Sequence, residues 1–330
     1  MKTLVTGGAG FIGSHVVNHL IKSGHKIWVL DDLSGGFIEN IHPQATFING
    51  SINDFQLIDS LFNQNKFEYV FHLAAYAAEG LSHFIKRYNY NNNLIGSINL
   101  INASVNNNVK CFVYTSSIAV YGAAQLPMAE NMIPVPEDSY GVAKLAVEQE
   151  LRISHEMFGL NYVVFRPHNV YGENQNLGDR YRNVIGIFMN QLMQGLPVTI
   201  YGDGEQTRAF SYIDDVAPHI ANSINNPGAI NNTFNIGADQ HYTINQLADA
   251  VMKPMNIVGE KVYLDTRNEV MHAFSDHQRA RSVFNINDFV GLDEGLARMA
   301  AWAKKAGVRS SKKFEAIEVL KNLPENWLSD

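Results

Sequence analysis

A short glycine-rich segment near the start of the chain constrains the fold most strongly. In TLVTGGAGFIGSHVV, glycines 7, 8, 10 and 13 lie between an apolar run and a segment with helical spacing. Gly8, Gly10 and Gly13 satisfy G-x-G-x-x-G, and Gly7, Gly10 and Gly13 satisfy G-x-x-G-x-x-G. Such glycines permit a tight turn, close approach of backbone N–H groups to a pyrophosphate, and close packing of helix on strand. The segment therefore predicts a dinucleotide-binding turn rather than a glycine-rich turn at a sheet edge.

An acidic residue follows at the position that a dinucleotide requires. Asp31 ends KIWVLD, the second apolar run. A carboxylate at this point is expected to bind the hydroxyl groups of the adenosine ribose. Because it would repel a 2′-phosphate, the sequence favours NAD over NADP. Asp32 is either a second ribose contact or a helix-initiating residue.

Short apolar runs alternate with helix-patterned segments throughout the first half of the chain. This rhythm predicts an α/β fold, with a doubly wound parallel (Rossmann) sheet and right-handed crossovers. We expect an NAD-binding domain over residues 1–165, with an excursion back to the sheet near residues 210–236. A smaller α/β substrate lobe over residues 166–330 is expected to interleave with it.

The final segment, from about residue 310, is polar with regularly spaced apolar residues. We expect a tail that includes a surface helix appended to the substrate lobe. Its spaced apolar residues are Phe314, Ile317, Leu320 and Leu323.

Composition excludes several classes of function. The 330 residues are 46% apolar, which is enough for a substantial core, and the net charge of -7 comes without a basic stripe, so nucleic acid is not an expected partner. The absence of a signal-peptide pattern and of a long apolar run predicts a cytoplasmic protein without a membrane span. Cys111 is the single cysteine, so no internal disulfide can form, and a buried structural thiol is expected. No metal site is predicted.

A helix-patterned segment supplies candidate catalytic side chains. In EDSYGVAKLAVEQELRIS, Tyr140 and Lys144 are four residues apart and share one helix face. Ser117 ends an earlier apolar run, and ligands of such sheets bind at the carboxyl ends of the strands. Outside this context, Tyr140 would be interpreted as an exposed aromatic residue and Lys144 as a solvated charge.

These motifs together resemble the extended short-chain dehydrogenase/reductase family, particularly its nucleotide-sugar epimerases and dehydratases. The resemblance rests on TGGAGFIG, Asp31, HLAA, YTSSIAVYG, YGVAK and RPHNVYG, and it extends to about residue 300. It implies that NAD is tightly held and that Tyr140 is the catalytic base. It also implies that Lys144 binds the nicotinamide ribose and lowers the Tyr140 pKa, and that Ser117 hydrogen-bonds the sugar.

The free energy needed for the implied pKa change can be compared with the free energy that a nearby cation supplies. Lowering a phenol pKa from about 10 to about 7 takes about 4 kcal/mol. One cation ~5 Å away, at an effective dielectric constant of ~20, supplies about 3 kcal/mol. Lys144 is therefore expected to supply most of the change, and a positive nicotinamide ring the rest.

The resemblance also implies a set of cofactor contacts. NAD is expected to contact Gly7, Gly10, Phe11, Ile12, Gly13, Asp31, Asp32, Ser51, Ile52, Leu73, Ala74, Ala75, Asn92, Thr115, Tyr140, Lys144 and Pro167.

A second set of contacts is implied for a nucleotide-sugar substrate, with Arg208 and Arg267 on its diphosphate. The alternative for these two arginines is a surface ion pair. Asn169 and Asn183 are also expected to contact the nucleotide diphosphate, and the alternative for them is a turn or cap role. Ser116 is expected to be a helper or a cap rather than a direct contact. A small residue at 273 would admit an N-acetyl group. The full set is Tyr76, Glu79, Ser116, Ser117, His168, Asn169, Asn183, Tyr201, Arg208, Arg267 and Ala273.

The two residues after Ser117 narrow the reaction. Dehydratases of the family carry an Asp-Glu pair there, whereas this chain has Ile118 and Ala119. The Glu of the UDP-glucuronate decarboxylases and the Cys of the GDP-mannose 3,5-epimerases are also absent. The simplest remaining reaction is 4-epimerisation of a UDP-hexose through a 4-keto intermediate.

The sequence leaves three further points open. Glu79 or His83, in the long loop at residues 76–90, could act as an extra acid or base and support dehydration, 3,5-epimerisation or reduction. A dinucleotide sensor without turnover is a rival of another class, although it would have no need for the catalytic residues. Two long helices, at 93–105 and 140–154, suggest a homodimer formed through a four-helix bundle.

Overall fold

A seven-stranded parallel sheet forms the centre of the computed structural model, which describes residues 1–123, 126–267, 270–310 and 314–327. The strands of this sheet are β1 (Lys2–Thr6), β2 (Lys26–Asp31), β3 (Thr46–Asn49), β4 (Tyr69–His72), β5 (Cys111–Thr115), β6 (Tyr162–Pro167) and β11 (Asn232–Ile236). Their order across the sheet is β11-β6-β5-β4-β1-β2-β3, and each neighbouring pair is parallel. The expected doubly wound α/β fold is confirmed.

Seven further strands of the described residues form three small sheets. β10 pairs with β7, β9 lies between β12 and β14, and β13 pairs with β8. They are β7 (Val170–Tyr171), β8 (Val198–Tyr201), β9 (Thr207–Ala209), β10 (Ser211–Tyr212), β12 (His241–Thr243), β13 (Lys261–Leu264) and β14 (His272–Ala273).

Helices follow most strands. They are α1 (Phe11–Lys22), α2 (Phe55–Asn65), α3 (Glu79–Ser82), α4 (Lys86–Tyr90), α5 (Gly96–Asn106), α6 (Ser139–Phe158), α7 (Val184–Met193), α8 (Ala217–Asn222), α9 (Ile244–Met255), α10 (Gln278–Phe284) and α11 (Leu292–Ala306). A π-helical segment, Asn91–Ile95, joins α4 to α5. No helix of the described residues is both long and apolar enough to cross a membrane.

Both faces of the large sheet are buried. One face carries Val5, Phe71 and Phe165, which pack with α1, α7, α8, α9 and α11. The other face carries their neighbours Leu4 and Val164, which pack with α2, α5 and α6. Because successive residues of a strand point to opposite faces, this requires strands that are apolar throughout. The apolar runs of the sequence have this composition for that reason.

Two residues fix the ends of the helix that carries Tyr140 and Lys144. The Asp138 carboxylate accepts a hydrogen bond of 2.8 Å from the Gly141 N–H, which caps the first turn of α6. Gly159 follows the last turn with φ of 75°, a conformation that glycine adopts without strain.

The chain returns to the large sheet after the first residues of the expected substrate lobe. β11 pairs with β6 at the sheet edge, and Phe234 contacts Phe165 with ring centroids 5.8 Å apart. The division into two interleaved lobes stays a prediction.

The prediction of a helix in the final segment is wrong for the described residues 314–327. These residues run as an irregular strap with one short 3₁₀ helix, Glu325–Trp327. Leu323 and Trp327 are buried against the segment after β4, so the apolar residues are used by a non-helical chain. Pro324 and the positive φ of Asn322, 62°, are incompatible with a continuous helix here.

Candidate active site

The glycine turn forms a tight passage between β1 and α1. Gly7 has φ of 72°, and a Cβ there would lie 2.6 Å from the backbone nitrogen of Ala74. A Cβ on Gly13 would lie 2.0 Å from the Gly7 oxygen. The α1 helix starts directly after this turn, so its unpaired backbone N–H groups face the space in front of it. The turn therefore has the shape that a pyrophosphate requires.

Asp31 lies at the end of β2 beside this turn. Its carboxylate accepts hydrogen bonds of 3.0 Å from the Ala9 N–H and 2.9 Å from the Leu33 N–H. Burial raises the pKa of Asp31 above its ordinary value, while these backbone donors lower it. The side chain lines the cavity in front of the glycine turn. These features fit a dinucleotide whose ribose meets an acidic residue.

A cavity of about 1660 Å³ extends from the glycine turn along the carboxyl ends of the central strands. This volume exceeds the ~300–1,000 Å³ of a site for one drug-sized ligand. Most residues predicted to contact NAD line it, namely Gly7, Gly10, Phe11, Ile12, Gly13, Asp31, Asp32, Ile52, Leu73, Ala74, Ala75, Asn92, Thr115, Tyr140, Lys144 and Pro167. Ser51 is not among the lining residues.

Ser117, Tyr140 and Lys144 are brought together at the end of β5. The Ser117 side chain lies close enough to Tyr140 for hydrogen bonding between them to lower the Tyr140 pKa. The Lys144 ammonium group lies 5.7 Å from the centre of the Tyr140 ring. All three residues are buried, and all three line the cavity.

The Tyr140 pKa differs from the sequence-based expectation. Burial and the nearby Glu79 carboxylate raise this pKa above the ordinary value, and the hydrogen bond from Ser117 lowers it only in part. Burial also lowers the pKa of Lys144 to about 7, although Glu148 opposes that change. The protein residues by themselves therefore do not lower the Tyr140 pKa, because the cost of placing charge in this buried pocket exceeds their stabilisation of the phenolate.

Ser116 has a supporting position. Its hydroxyl donates to Glu148 at 2.5 Å, and Glu148 forms a buried ion pair with Arg166. The side chain lines the cavity, but its hydroxyl is directed to α6. The role of Ser116 as a helper or a cap stays a prediction.

The structure does not bring His168 to the cavity. Its ring is buried and contacts His277, with 2.9 Å between the two Nε2 atoms, and its Nδ1 lies 3.1 Å from the Ala209 carbonyl oxygen. His277 in turn lies 2.7 Å from Asp239. The imidazole is occupied by a buried polar network, and the substrate contact expected of His168 stays a prediction.

Ala273 and Tyr76 also lie away from the cavity wall. Ala273 packs in an apolar cluster with Ile118 and Tyr121, and its expected role of admitting an N-acetyl group stays a prediction. Tyr76 packs edge-on against Tyr88 with ring centroids 5.4 Å apart, and Arg182 stacks on its ring. Its ring is used for packing in this structure, and the predicted substrate contact stays a prediction.

The other predicted substrate residues line the cavity, namely Glu79, Asn169, Asn183, Tyr201, Arg208 and Arg267. The Arg267 guanidinium lies 3.7 Å from the centre of the Tyr201 ring, which orients it as a cation–π pair. The Arg208 guanidinium donates to the carbonyl oxygens of Val270 and Met271, so this side chain also holds the backbone before β14.

Sequence reasoning missed Arg182 and Gln175, which also line the cavity. Arg182 pairs with Asp179, and Tyr140 is among the groups that raise its pKa. Gln175 is buried, and neither polar atom of its amide has a hydrogen-bond partner in the part of the chain that is described. A lone Arg or Gln in a polar loop gives no signal in the sequence, because its position depends on distant elements.

Comparison with known proteins agrees with this geometry. Residues 3–237 match the model of the NAD dependent epimerase/dehydratase family. A putative UDP-glucose 4-epimerase from Methanocaldococcus jannaschii is 34% identical over 304 residues, which cover 91% of this chain and 98% of that protein.

Two crystal structures share the fold over most of their length. A UDP-glucose 4-epimerase from Thermotoga maritima, solved with UDP-glucose, has a TM-score of 0.88 at 35% identity, and the match covers 93% of this chain and 99% of that one. A UDP-glucose 4-epimerase from Thermus thermophilus, solved with NAD, has a TM-score of 0.85 at 29% identity, over 92% of this chain and 98% of that one. With its glycine turn, Asp31 and the group at the end of β5, the chain belongs to the NAD-dependent epimerase/dehydratase family of enzymes.

Proposed function

We propose that the protein is a 4-epimerase of a UDP-hexose, either UDP-glucose and UDP-galactose or their N-acetyl forms. The observation that carries this proposal is the group of Ser117, Tyr140 and Lys144 at the end of β5, followed by Ile118 and Ala119. A base and its partners are present, while these two positions lack the acids that elimination uses. Ile118 has no ionisable group, and its side chain packs in an apolar cluster.

The chain's own residues supply the proton transfers. NAD, when bound, supplies a hydride acceptor and donor together with positive charge. Tyr140 takes the proton from the 4-hydroxyl of the hexose, and Ser117 holds the same hydroxyl through its hydrogen bond. The resulting 4-keto sugar turns over in the cavity, and Tyr140 returns the proton to its oxygen. Lys144 orients the cofactor ribose and adds positive charge near Tyr140.

The charge requirement supports NAD as the partner of this base. Because burial raises the Tyr140 pKa, a phenolate needs more positive charge than the protein gives it. Burial lowers the pKa of Lys144 to about 7, so this lysine alone does not meet the requirement and the positive charge of NAD is expected to complete it. The base is therefore expected to be active only in the complex with oxidised cofactor.

Arg208 and Arg267 are proposed to bind the diphosphate of the substrate. Both line the cavity, and Arg267 is held against Tyr201. A planar guanidinium fits phosphate oxygens in pairs. Asn183, at the start of α7, is proposed to complete this site.

A second reaction is supported by one feature. Glu79 and His83 line the cavity, and the Glu79 charge acts on Tyr140. An acid so placed could assist dehydration, 3,5-epimerisation or reduction of the same class of substrate.

We also propose a homodimer formed by α5 and α6. α6 exposes Val142, Ile153 and Met157, which share one face, and Ile95 is exposed immediately before α5. Apolar side chains in such an arrangement favour an isologous contact between two copies.

The test is proton NMR of the purified protein incubated separately with UDP-glucose, UDP-N-acetylglucosamine, UDP-glucuronate and GDP-mannose. A product inverted at carbon 4 supports the proposal and identifies the sugar. A 4-keto-6-deoxy product would instead support the reaction assisted by Glu79 or His83 and would overturn 4-epimerisation.

A further inference from the structure

The strap at residues 314–327 is attached to the segment that follows β4. The Glu318 carboxylate accepts hydrogen bonds of 2.9 Å from the Arg87 N–H and 3.0 Å from the Tyr88 N–H, at the start of α4. The Glu318 N–H donates to the Phe84 carbonyl oxygen at 2.8 Å. Negative charge is favourable at a helix start, so the strap has a defined register on this segment.

Apolar contacts strengthen this attachment. Phe314 packs between Tyr76 and Tyr88, with ring centroids 5.3 Å and 4.9 Å away. Leu323 and Trp327 complete a cluster with Ala78, Leu81 and Ile85 that is separate from the cores on either side of the sheet. Without the strap, this small cluster would lose its largest buried side chain.

Trp327 lies near three segments that line the cavity, which contain Phe84, Tyr181 and Arg267. Its ring packs edge-on against Phe84, 6.0 Å away, and against Tyr181, 5.2 Å away. The Arg267 guanidinium lies 6.0 Å from the Trp327 ring and 3.7 Å from the Tyr201 ring. Two aromatic rings therefore flank the cation proposed for the diphosphate.

The strap also forms part of the cavity wall. Lys321 adds a cation to a cavity that already contains Arg182, Arg208 and Arg267. The strap residues that line it are Val319, Lys321, Asn322, Pro324, Glu325 and Trp327.

We infer that the strap is part of the substrate site and that Trp327 is a positioning residue for Arg267, so that the strap sets affinity for the nucleotide diphosphate. This inference rests on the proposed function, because it takes a nucleotide sugar as the ligand. The glycine turn and Asp31, on the NAD side of the cavity, are tied together by hydrogen bonds among residues 7–50, so we expect NAD binding to be independent of the strap.

The test compares Trp327→Ala and Trp327→Phe with the parent enzyme. UDP affinity is measured by calorimetry, KM and kcat with the UDP-sugar that the parent epimerises, and bound NAD by its release on denaturation. Trp327→Ala should raise the UDP Kd and the KM about tenfold, with kcat within about threefold and NAD unchanged, since one cation–π contact of this size is lost. Trp327→Phe retains an aromatic face and should recover most of the affinity.

Two further variants separate positioning from folding. Glu318→Ala removes the acceptor at the start of α4 and should raise the KM in the same way without touching the cavity. Leu320→Ala changes a strap side chain that is 68% exposed and should match the parent. UDP affinity equal to the parent's in both Trp327→Ala and Glu318→Ala would overturn the inference alone. A parent that binds no UDP would overturn the proposed function and this inference with it.

Discussion

The Lys144 ammonium group donates a hydrogen bond of 2.7 Å to the backbone carbonyl oxygen of Thr115, the last residue of β5. The lysine on α6 is thereby tied to the strand that leads into Ser117. A helix and a strand distant in the sequence thus form one unit, in which Tyr140 and its partners keep a fixed separation.

Replacement of Tyr140 by phenylalanine should remove the catalytic base and retain the buried ring. We expect kcat to fall by about 10²- to 10⁴-fold, the usual contribution of a general base. Bound NAD should be unchanged. The measurement is turnover of the UDP-sugar that the NMR test identifies, with NAD content determined on the same sample.

Tyr114→Phe is the matched control for this variant. The Lys144 ammonium group lies 4.7 Å from the centre of the Tyr114 ring and 5.7 Å from the centre of the Tyr140 ring. Its buried hydroxyl has no hydrogen-bond partner among the described residues. Activity should therefore stay at the parental level, and equal losses in the two variants would contradict the assignment of Tyr140.

Replacement of Asp31 by asparagine should weaken the preference for NAD over NADP. The amide keeps an acceptor oxygen for one of the two backbone N–H groups and removes the charge that repels a 2′-phosphate. We expect the ratio of NAD to NADP affinity to fall by about tenfold or more, since like-charge repulsion in a half-buried site is lost. Reconstitution of cofactor-free protein with each dinucleotide measures this ratio. Asp59→Asn, at an exposed position of α2 outside the cavity lining, is the control for a mere change in net charge.

Acid should destabilise the protein through two buried histidines. Burial lowers the pKa of His72 to about 3 and that of His168 to about 3. The unfolded chain binds a proton at each site below about pH 6.5 and the folded chain does not, so stability falls as pH decreases from about 6.5 towards 3. Each residue should remove about 2 kcal/mol from the unfolding free energy between pH 7.5 and 5.

His168→Phe isolates one of these two contributions. Urea unfolding at pH 7.5, 6 and 5 should show a loss about 2 kcal/mol smaller than in the parent. A pH dependence identical to that of the parent would mean that His168 does not stay neutral in the folded chain.

The proposed dimer contact on α6 can be disrupted by a charge. Met157→Glu places a carboxylate on a side chain that is 69% exposed, at the face shared with Ile153. We expect light scattering after size-exclusion chromatography to give the monomer mass for this variant and the dimer mass for the parent. Leu196→Glu, at a side chain 50% exposed on another part of the surface, should remain a dimer. A parental mass equal to the monomer would reject the proposal.

The parts of the site that sequence could predict depend on local geometry. Each of these parts can be inferred from one short stretch of sequence. They are the glycine turn, Asp31 at a strand end, and the four-residue spacing of Tyr140 and Lys144 on one helix. His168 and Ala273 could not be placed in this way, because their surroundings are built by His277 and by Tyr121, far away in the chain. The final segment could not be placed for the same reason. A spacing of three among its apolar residues is compatible with a helix and also with an irregular strap that packs on another part of the same chain.

The late return of the chain to the large sheet has a consequence for synthesis on the ribosome. β11 completes the edge beside β6 and covers Phe165 with Phe234, but it lies beyond α7, β8 and the other elements that follow β6. When residue 167 has been translated, six strands exist with an uncovered edge that can pair with another chain. The cofactor-binding sheet is complete only after residue 236 has left the exit tunnel, so a nascent chain stalled between these two points is the form most exposed to aggregation.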